Sequence, residues 1–230
     1  MRLLQYFVGT LSMGTMALGA LAASDQNYPT KPIRIVTSEP GGGVDFAARL
    51  IALATARPGE LNYASGPSGS TAHLTAELFK AMAGVNMVVV PYKGSGPVIV
   101  ALLGGEVLVT FSNAAAVAPH VKSGKLRALA VTSAQRSPLA PELPTVAASG
   151  LPGYESMSIY GMLAPAKIPV PIINRLNREI VQFLNQPEVK QKFLSSGVET
   201  VGNSPKEFAA AIKSDMSKLG KVIRDAGIRD

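Results

Sequence analysis

Apolar positions along the chain fall into two rhythms, short near-continuous runs and longer stripes at helical spacing, with glycine and proline between them. Ile33-Arg34-Ile35-Val36-Thr37 reads as a short strand that breaks at Pro40-Gly41-Gly42-Gly43 and opens a helix from Val44 to about Arg57. Leu61 to Ala64 is a brief strand, Ser65 to Ser70 a loop, and Thr71 to Met82 a helix carrying Leu74, Leu78, Phe79 and Met82 on one face. Val85 to Val90 has the length and composition of a buried strand. A helix (98–103), a strand (107–111), a helix (114–122) and a strand (126–131) follow. Strands alternating with helices of about ten residues predict βαβ units and a parallel sheet.

Prolines at 138, 141, 144 and 152 mark a crossing segment, after which Tyr154 to Leu163 reads as a strand leading out. The last third turns helical. Ile172, Ile173, Leu176, Ile180, Phe183 and Leu184 make one stripe, and a second helix starts at Pro187 and ends at Gly197. Ser204-Pro205-Lys206-Glu207 then combines an N-cap serine, a proline at the first helical position and the glutamate of a capping box.

The beginning of the chain stands apart. Arg2 precedes an almost uncharged apolar run from Phe7 to Ala23 that contains Ala20-Leu21-Ala22, a small-x-small cleavage pattern. Residues 1–22 are therefore expected to be a secretory signal peptide. The alternative, a membrane anchor, is disfavoured because the run is shorter than the ~20 residues that span a bilayer. Only 16% of residues are charged, and the basic residues behind the net charge of +7 are scattered singly. That pattern predicts no nucleic-acid partner and argues against a disordered chain. Cysteine is absent, which removes disulfides and thiolate chemistry.

No catalytic constellation assembles. Ser70 stands where a nucleophile elbow built on Gly66-Pro67-Ser68-Gly69 needs glycine, and Gly41-Gly42-Gly43 lacks the third glycine of a dinucleotide fingerprint. His73 and His120 form no metal motif and read as structural, so neither an enzyme nor a cofactor is expected. Three strand-to-helix turns do stand out: Pro40 to Gly43, Ser65 to Thr71, and Gly94-Ser95-Gly96. Each places small residues at a helix N-terminus, where unpaired N–H donors and a positive partial charge favour a carboxylate or phosphate.

The same residues carry a family resemblance. Tyr28-Pro29-x-Lys31-Pro32-Ile33-Arg34, Pro40-Gly41-Gly42 with Asp45, Val90-Pro91-Tyr92-Lys93-Gly94, Gly124-Lys125-Leu126-Arg127-Ala128-Leu129-Ala130, Leu143-Pro144-Thr145-Val146 and Gly150-Leu151-Pro152-Gly153-Tyr154 resemble the Bug-type receptors of tripartite tricarboxylate transporters. The resemblance implies an α/β, two-lobed periplasmic binding protein (type II-like) that closes on a small organic acid and delivers it to membrane subunits. It implies a ligand-binding set of Pro40, Gly41, Gly42, Gly43, Asp45, Ser65, Ser68, Ser70, Thr71, Tyr92, Lys93 and Gly94. Asp45 is read as orienting the first loop, and Tyr92 as reaching the cleft or anchoring in the core.

Two departures matter. Ser38-Glu39 places a carboxylate beside the first turn. Arg49-Leu50-Ile51-Ala52 then runs straight into Leu53-Ala54-x-Ala56-Arg57-Pro58-Gly59-x-Leu61-Asn62-Tyr63, which resembles the entry to the second lobe, as though a block of the first lobe were deleted. The expected organisation is a second lobe at 58–160 and an incomplete first lobe made of 23–57 and 161–230. A cleft short of one wall predicts affinity weaker than micromolar, or none, and self-association through exposed first-lobe edges. The export expectation is checked by intact-mass analysis of periplasmic extract, which should find a chain starting at Ala23 or Ser24. Full-length protein in the membrane fraction would contradict it.

Overall fold

The computed structural model describes residues 45–228. The expected signal peptide, the strand at 33–37 and the glycine turn at 40–43 lie outside the described residues. α1 (Asp45–Ala56) leads into β1 (Asn62–Ser65), α2 (Thr71–Ala83), β2 (Val88–Pro91), α3 (Ser95–Gly104), β3 (Val109–Thr110) and α4 (Ala114–Lys122). After a long irregular crossing come α5 (Val170–Leu184), α6 (Pro187–Ser195) and α7 (Pro205–Asp225). The three strands form a parallel sheet in the order β2-β1-β3, with Tyr63 opposite both Val89 and Val109.

Strand alternation sends Tyr63 and Ala64 to opposite faces of the sheet. Tyr63 joins the main core with Leu50 and Ala54 of α1, Leu78 and Phe79 of α2, Val146, Leu151 and Tyr154 of the crossing segment, and Val222 of α7. Ala64 joins a smaller cluster with Val98 and Ala101 of α3 and Val107. Asn62 extends the β1–β3 pairing with its side chain, donating to the Glu106 carbonyl at 2.9 Å and accepting from the Leu108 amide at 3.1 Å. Edge-to-face and tilted ring contacts link Tyr63, Phe111, Phe79 and Tyr154 across the main core. The Tyr154 hydroxyl donates to the Thr75 carbonyl at 3.0 Å, and burial pushes its pKa up.

Three sequence expectations are corrected. Val85 and Met87 are buried, but Val88 and Val89 are 47% and 38% exposed, because β2 is an edge strand rather than a doubly covered one. The strand expected at 126–131 is reduced to a single bridge between Val131 and Thr145. The strand expected at 154–163 is irregular, and Tyr160, Met162 and Leu163 are exposed. A strand needs a neighbour to take its backbone hydrogen bonds, and among the described residues neither segment has a ladder.

The helical third shows the same shortage of partners. α5 is strongly amphipathic, yet none of its residues is buried, and Ile172, Leu176 and Phe183 are each about half exposed. α7 is better anchored. Its capping box is complete, with the Ser204 hydroxyl accepting from the Glu207 amide and the Glu207 carboxylate accepting from the Ser204 amide. Among the described residues no helix is long and apolar enough to cross a membrane.

Two outcomes follow from these contacts. Tyr154→Phe removes a buried hydrogen bond that ties the crossing segment to α2, whose Thr75 carbonyl keeps its helical partner, and is expected to cost about 0.5–1.5 kcal/mol in urea unfolding. An unchanged midpoint would show that ring packing alone holds Tyr154 in place. The Ser204 backbone amide, and then its hydroxyl, hold the Glu207 carboxyl below its ordinary value of 4.5. A lowered folded-state value gives a contribution that is complete above that ordinary value and lost as pH falls through the folded one. Glu207→Gln should therefore flatten the acid limb of the stability–pH curve, and an unaltered slope would refute this.

Candidate functional site

The carboxyl ends of β1 and β2 lie side by side, with Ser65 opposite Pro91 and the Tyr92 amide donating to the Ser65 carbonyl at 2.8 Å. From this shared edge the two turns diverge. The turn after β1 feeds α2 on the Tyr63 face, and the turn after β2 feeds α3 on the Ala64 face. Two helix N-termini therefore flank one point of the sheet, and both bring positive partial charge and amide donors to it.

The β1–α2 turn is tightly specified. Ser70 is the N-cap, its hydroxyl accepting from the His73 amide at 3.4 Å. The Ser70 amide donates to the Pro67 carbonyl at 3.0 Å. Gly69 sits at φ +73°, a region that disfavours any side chain, and its amide donates to His73 Nδ1 at 3.1 Å. A Cβ at Gly66 would come within 3.0 Å of Ser70 Oγ, so that position must also stay small. The Thr71 and Ala72 amides, in the first turn of α2, have no acceptor among the described residues.

Ser65 supplies the sharpest signal. It is fully buried, and its Oγ is the one buried side-chain polar atom among the described residues with no hydrogen-bond partner. Alternation along β1 puts it on the Tyr63 face, at the end of the strand nearest the start of α2. A buried hydroxyl without a partner costs about 1–3 kcal/mol, a cost that a bound acceptor would relieve.

The second turn is plainer. The Tyr92 ring packs on the small cluster, and its hydroxyl donates to the Glu106 carboxylate at 3.4 Å. Desolvation and then the nearby Glu106 charge raise the phenol above its ordinary value. Lys93 and Gly94 are exposed, and Gly94 caps α3 without a side-chain bond. Of the residues expected from sequence, Ser65, Ser68, Ser70 and Thr71 thus share one turn, with Tyr92, Lys93 and Gly94 in the adjoining one. Asp45 is the first residue of α1, and Pro40 to Gly43 lie outside the described residues.

The sequence model of a family described as the tripartite tricarboxylate transporter family receptor (TctC) matches residues 34–228. Protein BugT of Bordetella pertussis is 37% identical over 198 residues, covering 86% of this chain and 60% of its own length. A solved structure described as R. palustris Rpa4515 with adipate is 40% identical at a TM-score of 0.68, covering 79% of this chain and 60% of that one. The periplasmic binding protein BugD is 28% identical at a TM-score of 0.64 and covers 79% and 62% respectively. The chain thus spans 60% of the length of BugT and 52% of that of a second curated relative, from Pseudomonas sp. strain P51. Its fold is that of these periplasmic binding proteins, shortened relative to them.

The helix expected at 114–122 brings a third N-terminus beside this sheet, and its cap was not anticipated from sequence. Asn113 caps α4 directly after β3, its side chain accepting from the Ala115 amide at 2.9 Å. The usable signal was Ser112-Asn113 ahead of an alanine-rich helix. Gly197, at φ +75° beyond α6, lies against it: a Cβ there would fall 2.5 Å from Ala115 Cβ and 2.9 Å from the Ala115 nitrogen. Gly197→Ala should therefore lower the melting temperature by several degrees, consistent with about 1–3 kcal/mol of strain and overpacking. A variant that melts with the parent would show that α6 docks elsewhere.

Proposed function

The chain belongs to the tripartite tricarboxylate transporter receptor family, and on that premise we propose that it is an exported solute receptor for a small dicarboxylate. The ligand would dock at the Ser65–Thr71 turn, with Tyr92 to Gly94 beside it and Pro40 to Gly43 and Asp45 completing the set. The observation that carries this reading is the unpartnered, fully buried Ser65 hydroxyl beside a helix N-terminus. A carboxylate oxygen accepts from that hydroxyl and from the Thr71 and Ala72 amides without any buried cation. Hydrogen bonds to a charged partner contribute about 1.5–3 kcal/mol each, and the α2 dipole adds a fraction more. The adipate in the 40% identical Rpa4515 structure supports a dicarboxylate over a monoacid. Residues 1–22 would act as the export signal, and membrane subunits of a tripartite transporter would receive the ligand.

A second reading has its own observation. The apolar face of α5 is uncovered, as are Met162, Leu163 and Met216. That favours a shortened receptor that binds weakly or not at all and self-associates through this face. Light scattering beside calorimetry separates the two: a monodisperse monomer that binds adipate supports the first, and oligomers without heat of binding support the second.

Ser65→Ala is the direct test of the docking point. It removes an unpaired buried hydroxyl, so urea stability should hold within about 0.5 kcal/mol or rise. Adipate affinity should fall about tenfold, or ~1.4 kcal/mol. Loss of stability with affinity intact would move the site away from β1.

A further inference from the structure

The side chain that fixes the β1–α2 turn comes from one turn into the helix. His73 is buried, and its Nδ1 accepts the Gly69 amide at 3.1 Å. A peptide N–H only donates, so Nδ1 must carry a lone pair and the imidazole proton must sit on Nε2. The other side of the ring is arranged to match. Nε2 faces Glu77 Oε1 at 3.9 Å, one helical turn along α2. Glu77 is buried too, and the same oxygen is held at 2.6 Å by both the Tyr63 hydroxyl and Lys80 Nζ. The carboxylate is anchored and anionic, and it favours the tautomer with its proton on Nε2.

We propose that His73 is the positioning residue of the ligand turn: a neutral imidazole, its tautomer set by Glu77, that locks Gly69 through Nδ1. The inference rests on the carboxylate site proposed above. Locking Gly69 at positive φ sets the direction in which the chain enters α2, and hence where the Thr71 and Ala72 amides point relative to Ser65. Tyr63 and Lys80 act one step further back, by holding the carboxylate that orients the ring. His73 itself touches no ligand. A histidine serves here because its two nitrogens play opposite parts, one accepting from the turn and one facing the helix.

Two substitutions separate those parts. In His73→Asn the amide oxygen falls where Nδ1 was and still accepts from Gly69. In His73→Gln the amide reaches toward Glu77 and leaves Gly69 without an acceptor. Hydrogen exchange at the Gly69 amide should quicken at least ~10-fold in His73→Gln and stay within ~3-fold of the parent in His73→Asn. Calorimetry with adipate should follow the same order, with about a tenfold loss for His73→Gln and rescue in His73→Asn. Long-range nitrogen–proton NMR of the parent should find the ring neutral, with its proton on Nε2. A proton on Nδ1, or a Gly69 amide that exchanges equally in both variants, would overturn the proposal. Failure of the parent protein to bind adipate would count against the carboxylate site, leaving the Gly69 exchange comparison to decide the role of His73 by itself.

Discussion

Everything built at the carboxyl edge of the sheet depends on β1 being buried on both faces and hydrogen-bonded along both edges. Tyr63, Ala64 and Ser65 are each at most 1% exposed. A central parallel strand cannot shift by one residue without sending Tyr63 to the wrong layer and Ala64 into the main core. Its end is therefore a fixed point, from which the two turns leave toward opposite layers. The α2 and α3 termini meet there because β1 holds β2 in register, with the Tyr92 amide bonded back to the Ser65 carbonyl.

That fixed point belongs to the part of the chain that keeps its core. α1, α2, the crossing segment and the end of α7 converge on the Tyr63 face. α5 does not share in this burial, although its stripe has the pattern of a core-facing helix. Fully burying one such side chain is worth about 1.5–3 kcal/mol, and among the described residues α5 collects little of it. The chain thus retains a well-packed sheet edge while leaving apolar surface uncovered on α5. The same asymmetry makes the affinity of the site and the association state of the chain one coupled question.

Features that rest on local chemistry were legible in the sequence. The helix read at Ala114–Lys122 matches α4, and Thr71–Met82 matches α2 to within one residue. Ser204-Pro205-Lys206-Glu207 gives the start of α7 directly, because a capping box is complete within four residues. What failed needed a distant partner. Leu126 to Val131 and Tyr154 to Leu163 have strand composition, but composition does not supply a neighbour, and Val88 and Val89 look buried until the strand order places them at an edge. In the site, the serines were visible because hydroxyls beside a helix start are a sequence pattern. The missing partner of Ser65, and the reach of His73 back to Gly69, become visible only once register and helix geometry put those atoms together.

On the function proposed above, the turn leaving β1 receives a carboxylate through donors already in place. The decisive measurement is a backbone amide titration of the isotopically labelled protein with adipate. Saturable shifts are expected, largest at Gly66 to Ala72, with a second set at Tyr92 to Gly96. Saturable shifts confined to α5–α7, or none at millimolar adipate, would contradict it.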